Sequence, residues 1–524
     1  MSDNMTEANQ HRQRLRETIP QIILALFLFG PILYLVCDAI LRVFGDPLLL
    51  ELALPTGRRL TLLINSLSLA AAVSLTVGII GVLAGSKLVY EQAPVWRWIK
   101  WGFLLTAPVP PYIHALVWSS TVGSLNILLK QYGASLPAYG FFMSYIVNTM
   151  AYLPLGVGLA MVGYMLVETP AVEAARLFKE DFRVFMEVVL PLASPMILAA
   201  VGFVFILVVT DYSVPTLYSY NVYSLEVFSE FSASNNPAHS VWLSIPIVVI
   251  TVAVLVYSLR GLRNTVQSSS VNRNDMEYRW SLPRWFTVIQ LLSVSMVLVQ
   301  VVFLVGGLIL ETGSFMSLYY AVEAASDDLL VSGVIGLAGA ALGTGFGYML
   351  SARLGKGGLW WVLTAIPLAL PSSIVGIGLI DAYTHWAPWL YGTMAMPIIA
   401  VTTRFVAIAT IIIYTQSKRV DPLLFEAAEL FKKQKHQALL GVKLPLQKYG
   451  VAAAAAALLA FSVGELGSTL LVVPPGSETL TIRIFNYLHY GGSEEVAGLC
   501  LLIVALMMAM SGLAFKAYGR GKTE

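Results

Sequence analysis

Charge is scarce in this sequence. Asp, Glu, Lys and Arg make up only 12% of its 524 residues, about half the share of an ordinary soluble domain. With 57% hydrophobic residues and a mean hydropathy of +0.75, the apolar surface is too large for one water-soluble core. Lipid is the solvent such a chain requires, and in lipid only helices or closed barrels satisfy the backbone. The apolar runs are about 20 residues long and lack strand alternation, which selects helices.

Other scarcities exclude chemistry. The two cysteines, Cys37 and Cys500, stand far apart in apolar runs. They read as small buried hydrophobes rather than as a redox or metal pair. No His, Cys, Asp or Glu spacing fits a metal site, and no nucleophile–base constellation is present, so neither metal-binding nor catalytic residues are assigned. No basic block points to nucleic acid, and a net charge of +2 says little about partners. The terminal Gly521-Lys522-Thr523 has the look of a phosphate-binding loop, but Lys516 stands where the earlier glycine is needed and no helix follows. We therefore expect no ATPase domain in this chain.

What is present is about twelve apolar spans. The first half has them near 20–43, 61–86, 99–120, 139–166, 193–217 and 240–260. The second has them near 285–310, 329–352, 359–382, 392–415, 449–473 and 495–516. The expected division is a tail at 1–19, a first repeat at 20–260, a polar linker at 261–284, a second repeat at 285–516 and a tail at 517–524. Arg12, Arg14 and Arg16 precede the first span, the linker is basic, and Lys516, Arg520 and Lys522 follow the last. The loop after span seven carries Glu311, Glu323, Asp327 and Asp328 and no base. This bias puts both termini in the cytoplasm, with Arg58 and Arg59 the main exception.

The halves repeat. Glu173-Ala174-Ala175 and Glu426-Ala427-Ala428 are 253 residues apart, and the later Leu190-Pro191 and Leu444-Pro445 are 254 apart. At the longer offset Asp211 falls on Glu465 and Phe231 on Phe485. Six spans per repeat is an even number, so the halves share one orientation and a pseudo-twofold axis along the membrane normal.

Each repeated triplet lies in a polar island. Asp421-Pro422 and Thr169-Pro170 can start helices. A second short helix is predicted after each, near Gln437 to Leu444 in the second copy, stopped by Pro445 and likewise by Pro191. The result is a helix–turn–helix at the membrane face. On one copy an ordinary amphipathic surface helix explains this; two copies at matched positions favour a docking element.

The motif resembles that of the membrane subunits of bacterial binding-protein-dependent ABC importers: Glu-Ala-Ala, three residues, Gly, nine residues, then Ile-x-Leu-Pro. Both copies depart at the glycine, where Lys179 and Lys432 stand. The resemblance implies an all-α integral membrane protein of two tandem six-helix permease repeats. It implies that the loops at Glu173, Ala174, Ala175 and Lys179, and at Glu426, Ala427, Ala428 and Lys432, couple to two cytoplasmic ATPase subunits. ATP and Mg would be bound by those subunits, with no cofactor in this chain. It further implies a periplasmic or lipid-anchored substrate-binding protein and a bacterial inner-membrane location. The stretch Gly464-Glu465-Leu466-Gly467-Ser468-Thr469, with Pro474-Pro475-Gly476, is similar to fused, double-length iron(III)-type permeases; thiamine permeases are the alternative.

Candidate pathway residues are Asp211, Glu465, Arg404, Pro111 and Pro371. An acid within a span costs about 2.5–3.5 kcal/mol on insertion scales, so it usually faces a cavity or partner. A pathway role and a loop-anchoring role both fit Asp211 and Glu465, and Arg404 is a possible partner for either. Prolines 108, 110, 111, 367 and 371 break spans three and nine, as pathway-lining helices or simple kinks do. Tyr218, Tyr220, Tyr223 and Phe228 form an outer docking platform or an interfacial belt. A twelve-span secondary transporter is the rival reading; the loop Gly85-Ser86-Lys87-Leu88-Val89-Tyr90 lacks the glycine, acid and paired-base signature typical of that class.

Overall fold

A computed structural model describes residues 2–91, 93–268, 280–431, 435–490 and 494–520. Among these the only regular structure is helical. Eleven helices are long and apolar enough to cross a membrane, or twelve when a pair bent by 96° counts as one span.

The first half runs α1 (Ser2–Val43), α2 (Arg58–Tyr90), α3 (Pro94–Leu104), α4 (Pro111–Lys130), α5 (Gly140–Met165), α6 (Thr169–Arg176), α7 (Leu190–Thr210), α8 (Tyr223–Ser234) and α9 (Pro237–Ser268). The second runs α10 (Arg284–Thr312), α11 (Phe315–Ala324), α12 (Ser326–Leu354), α13 (Gly358–Ala369), α14 (Ser372–Trp386), α15 (Ala395–Ser417), α16 (Pro422–Phe431), α17 (Leu444–Gly464), α18 (Leu480–Tyr490) and α19 (Glu494–Arg520). Residues 2–19, expected as a tail, belong to α1, and α9 extends eight residues into the expected linker.

The proline breaks fall where the sequence puts them. Pro111 opens α4 after the turn that follows α3. Pro371 is the N-cap of α14, at the 96° bend from α13. Proline fits both places because its missing N–H would be unpaired in a first turn.

The later prolines act differently from the expectation. Neither Pro191 nor Pro445 stops a helix: the chain runs from Asp181 and from Leu439 straight into α7 and α17. Just before each Leu-Pro pair lies one π turn, Phe185–Val189 and Leu439–Lys443, where Leu190 N–H reaches the Phe185 carbonyl and Leu444 N–H that of Leu439. The wider i→i−5 spacing takes up the ring and the missing donor. The expected second short helix is therefore the first turn or two of the next span. These π turns are 254 residues apart, as are the helices they open.

Packing follows the same order in each half. Helix α2 packs on α5 and α7, and α12 packs on α15 and α17. Small residues set the approach. A Cβ on Gly81 would lie 3.3 Å from the Gly156 carbonyl oxygen, and one on Gly347 would lie 2.7 Å from Ala409 Cβ. The first helix of each half leans on the other half. Leu28, Ile32, Leu35 and Ala39 form one buried stripe on α1, at the spacing of a helix face. Thr403 and Tyr383 hydroxyls donate to the Leu28 and Phe27 carbonyls at 3.2 and 3.3 Å. In return, Gln290 Nε2 on α10 donates to Ser86 Oγ at 2.9 Å, and Gln300 pairs with Thr106 at 3.3 Å. These buried polar groups find partners across the halves, as burial demands.

Candidate functional site

Two features stand out: a pair of exposed short helices, and a polar knot where the halves meet.

The first short helix, α6, carries Glu173, Ala174 and Ala175. Pro170 sits in its first turn, and Val172 is fully buried and anchors it. Glu173 and Ala174 point outward and Ala175 is half-buried. Leu177 and Phe178, at its end, are 80% and 86% exposed, so two large apolar side chains stand free in a loop. Its base is braced by Arg176, whose guanidinium donates to both Asp181 carboxylate oxygens, at 2.9 and 3.2 Å. The turn closes through the Phe178 and Lys179 N–H groups on the Ala175 carbonyl. Lys179 does not adopt a positive φ, so this turn needs no glycine, and its ammonium pairs with Glu187.

The second, α16, carries Glu426, Ala427 and Ala428. Asp421 Oδ1 accepts from Leu423 N–H at 2.9 Å, the expected cap. Glu426 is exposed, with Leu423 67% and Leu424 48% exposed beside it. Lys432 lies outside the described residues. The two triplets thus occupy equivalent places, each between the span before it and the π turn after it.

The knot gathers Asp211, Glu465 and Arg404. Asp211 follows the last residue of α7 and Glu465 the last residue of α17. Each leaves its helix in extended backbone and turns its carboxylate onto the next short helix. Asp211 Oδ1 accepts from Ser213 N–H at 3.0 Å and Ser213 Oγ at 2.7 Å; Oδ2 accepts from Val214 N–H at 3.3 Å. Glu465 Oε1 accepts from Ser468 N–H at 2.9 Å and Ser468 Oγ at 2.8 Å. The same oxygen takes Arg404 Nη1 at 3.1 Å. So the acids anchor loops, and one also holds a half-buried cation. The residue 254 before Arg404 is Met150, so the first half lacks the arginine.

The knot crosses the halves. A Cβ on Gly464 would meet the Pro110 ring at 2.9 Å, and one on Gly467 would collide with the Ser372 hydroxyl and reach the Tyr212 ring at 3.7 Å. Pro111 and Pro371 flank these contacts in sequence. The buried Tyr112 and Tyr212 hydroxyls have no hydrogen-bond partner among the described residues. Sequence reasoning missed both tyrosines and the capping serines. The serines at two and three residues past the acids were the available signal.

Further out, Tyr223 N–H donates to Ser66 Oγ and Leu480 N–H to Ser332 Oγ, each at 2.8 Å. Arg58 pairs with Glu226 at 2.6 Å, and Asp328 with Arg483 at 2.5 Å: one clasp in each half, with its polarity reversed. The reading of these aromatics as an outer platform or an interfacial belt is corrected here for Tyr218 and Tyr223. Tyr218 and Tyr223 are buried, their hydroxyls donating to the Ala115 and Leu243 carbonyls, and Phe228 stacks on Tyr212. Tyr220 is half-buried.

No family model matches the chain. A protein of Salmonella typhimurium named as a candidate 2-aminoethylphosphonate transport system permease is 30% identical over 148 residues, 28% of this chain and 55% of the relative. The Salmonella typhi counterpart is 29% identical over the same length. The chain thus spans about half the length of these relatives. The molybdate/tungstate transport system permease of Thermococcus kodakarensis is 24% identical over 195 residues, 36% of this chain and 76% of the relative. The helical chain with its matched short helices is similar to permease proteins of solute transport systems.

Proposed function

We propose that this chain is the permease of an ATP-driven ABC importer, with two fused repeats enclosing one pathway. The observation that carries it is the pair of exposed Glu-Ala-Ala helices, each wedged between two spans at equivalent positions. Each short helix turns an exposed carboxylate and exposed leucines outward, the first held down by the buried Val172, and such a face suits a groove on a partner. Two such helices suit two ATPase subunits, which supply the ATP and Mg chemistry; this chain catalyses nothing itself. Membrane topology follows the positive-inside bias, with both termini in the cytoplasm of an inner membrane.

The mechanism is alternating access. A loaded binding protein docks outside. Closure of the ATPase pair pulls on the loops at Glu173 and Glu426, and the continuous helices beyond the π turns carry the movement to Asp211 and Glu465. The knot of Asp211, Tyr212, Arg404 and Glu465 then acts as the closed gate. Reversing both charges, E173K/E426K, is expected to abolish ATPase co-purification and uptake into vesicles. Unchanged assembly and uptake would overturn the coupling role.

For the cargo, the likeness of 464–476 to iron(III)-type permeases supports iron(III). A second reading, a small oxyanion, is supported by the names of the aminoethylphosphonate and molybdate/tungstate relatives. A ferric ion would compete for the acids of the knot, an oxyanion for Arg404. Titrating the cognate binding protein with iron(III), thiamine, 2-aminoethylphosphonate and molybdate separates them.

A further inference from the structure

A cavity of about 620 Å³ lies away from the knot, between the end of α2, the π turn before α7 and the start of α10. Its walls include Lys87, Tyr90, Glu91, Phe185, Trp280 and Gln290. The size falls within the range of small-molecule sites. Its chemistry is unusual for a packing gap. Tyr90 Oη, Trp280 Nε1 and Gln290 Oε1 are all buried, and none has a hydrogen-bond partner among the described residues. Gln290 is only 2% exposed, its other amide atom already spent on Ser86. Native proteins rarely leave three such atoms together without a use.

We propose that this cavity binds a zwitterionic ethanolamine–phosphate group. Two free donors, the Tyr90 hydroxyl and the Trp280 N–H, suit the oxygens of a tetrahedral anion. Lys87 adds an ammonium and Glu91 a carboxylate, 2.7 Å apart. A pure anion would face Glu91 and a pure cation would face Lys87; a zwitterion meets both with the right sign. Gln290 Oε1 accepts from the ligand's ammonium. Phe185, Tyr90 and Trp280 give the ethylene stem apolar walls. Trp280 also lies under the Arg176 guanidinium, 5.5 Å from its ring, and Arg176 braces α6 through Asp181. Ser281 N–H donates to the same Asp181 at 2.6 Å. Occupancy therefore bears on the first short helix. The second copy has Glu429 and Lys435 where the first has Arg176 and Asp181, so its charges run the other way.

The group has two sources, a phosphatidylethanolamine headgroup or a free solute. The test uses the full-length chain in detergent, without ATPase or transport, so its outcome is independent of the importer reading. Phosphoethanolamine is titrated calorimetrically, and retained phosphatidylethanolamine against phosphatidylglycerol is measured by native mass spectrometry. The Y90F/W280F variant keeps an aromatic ring at both positions and removes both donors. It is expected to bind about tenfold or more weakly. Y90F alone, which loses no protein hydrogen bond among the described residues, should keep the unfolding midpoint, whereas W280F also gives up ring contacts with Arg176, Tyr90 and Phe185 and should lower it slightly. Binding of phosphoethanolamine alone identifies a solute site; selective retention of phosphatidylethanolamine identifies a lipid site. Binding of neither, or equal binding by the double variant, overturns the proposal.

Discussion

Glu465 and Asp211 hold the same place in the two halves, yet their neutralisation should not cost the same. Glu465 is 7% exposed and its side chain meets Arg404, itself 15% exposed, at 3.1 Å. Glu465→Gln keeps an oxygen for Ser468 but removes the charge that balances the guanidinium. Removing one partner of a buried pair costs about 3–5 kcal/mol; the residual exposure of Arg404 places this case near the lower bound, about 3 kcal/mol. Among the described residues Asp211 accepts only from Ser213 and Val214 at bonding distance, so Asp211→Asn should cost about 1–2 kcal/mol. Arg404→Met should cost about as much as Glu465→Gln, and R404M/E465Q should cost less than their sum. The assay is reversible unfolding of the full chain in mixed micelles, run as a double-mutant cycle. If Glu465→Gln and Asp211→Asn agree within about 0.5 kcal/mol, and the cycle shows no coupling, Arg404 contributes nothing to holding the knot and the reasoning fails.

Glycine packing offers a paired test on one helix. Gly347→Ala would place its Cβ 2.9 Å from the Thr410 backbone nitrogen and should cost about 1–3 kcal/mol. Gly345→Ala meets nothing within 4 Å and should gain about 0.5–1 kcal/mol; both are read by the same unfolding assay. The Arg58–Glu226 clasp has one side chain 68% exposed, so Glu226→Gln should cost at most about 1 kcal/mol, with loss fading in high salt. Replacing Leu177 and Phe178 with serine should leave stability within about 0.5 kcal/mol while weakening ATPase co-purification; a fold that melts earlier would mean these side chains pack internally.

Much of this architecture was legible from hydropathy and the repeat. Most of the spans, the breaks at Pro111 and Pro371, and the equivalence of Asp211 and Glu465 follow from local chemistry. The span expected at 99–120 is instead α3 followed by a crossing helix at Pro111–Lys130. Spans five and eleven end at Thr210 and Gly464, which leaves both acids just past their helices rather than within them. The reading failed where backbone geometry overrode residue preference. Pro191 and Pro445 look like stops, yet a π turn before each carries the helix through. Lys179 looks like a misplaced residue in a turn that wants glycine, yet the turn closes without positive φ. Tyr218 and Tyr223 look like surface aromatics, yet carbonyls far along the chain receive their hydroxyls. No sequence period encodes those long-range acceptors, nor the exchange of α1 and α10 between halves, which sets Gln290 against Ser86.

The central claim is that one chain offers two docking helices. Native mass spectrometry of the full chain co-expressed with its ATPase subunit tests it directly. Two ATPase subunits per chain are predicted, falling to one when Glu426 alone is reversed. A wild-type complex with a single ATPase subunit, or with none, would contradict the account.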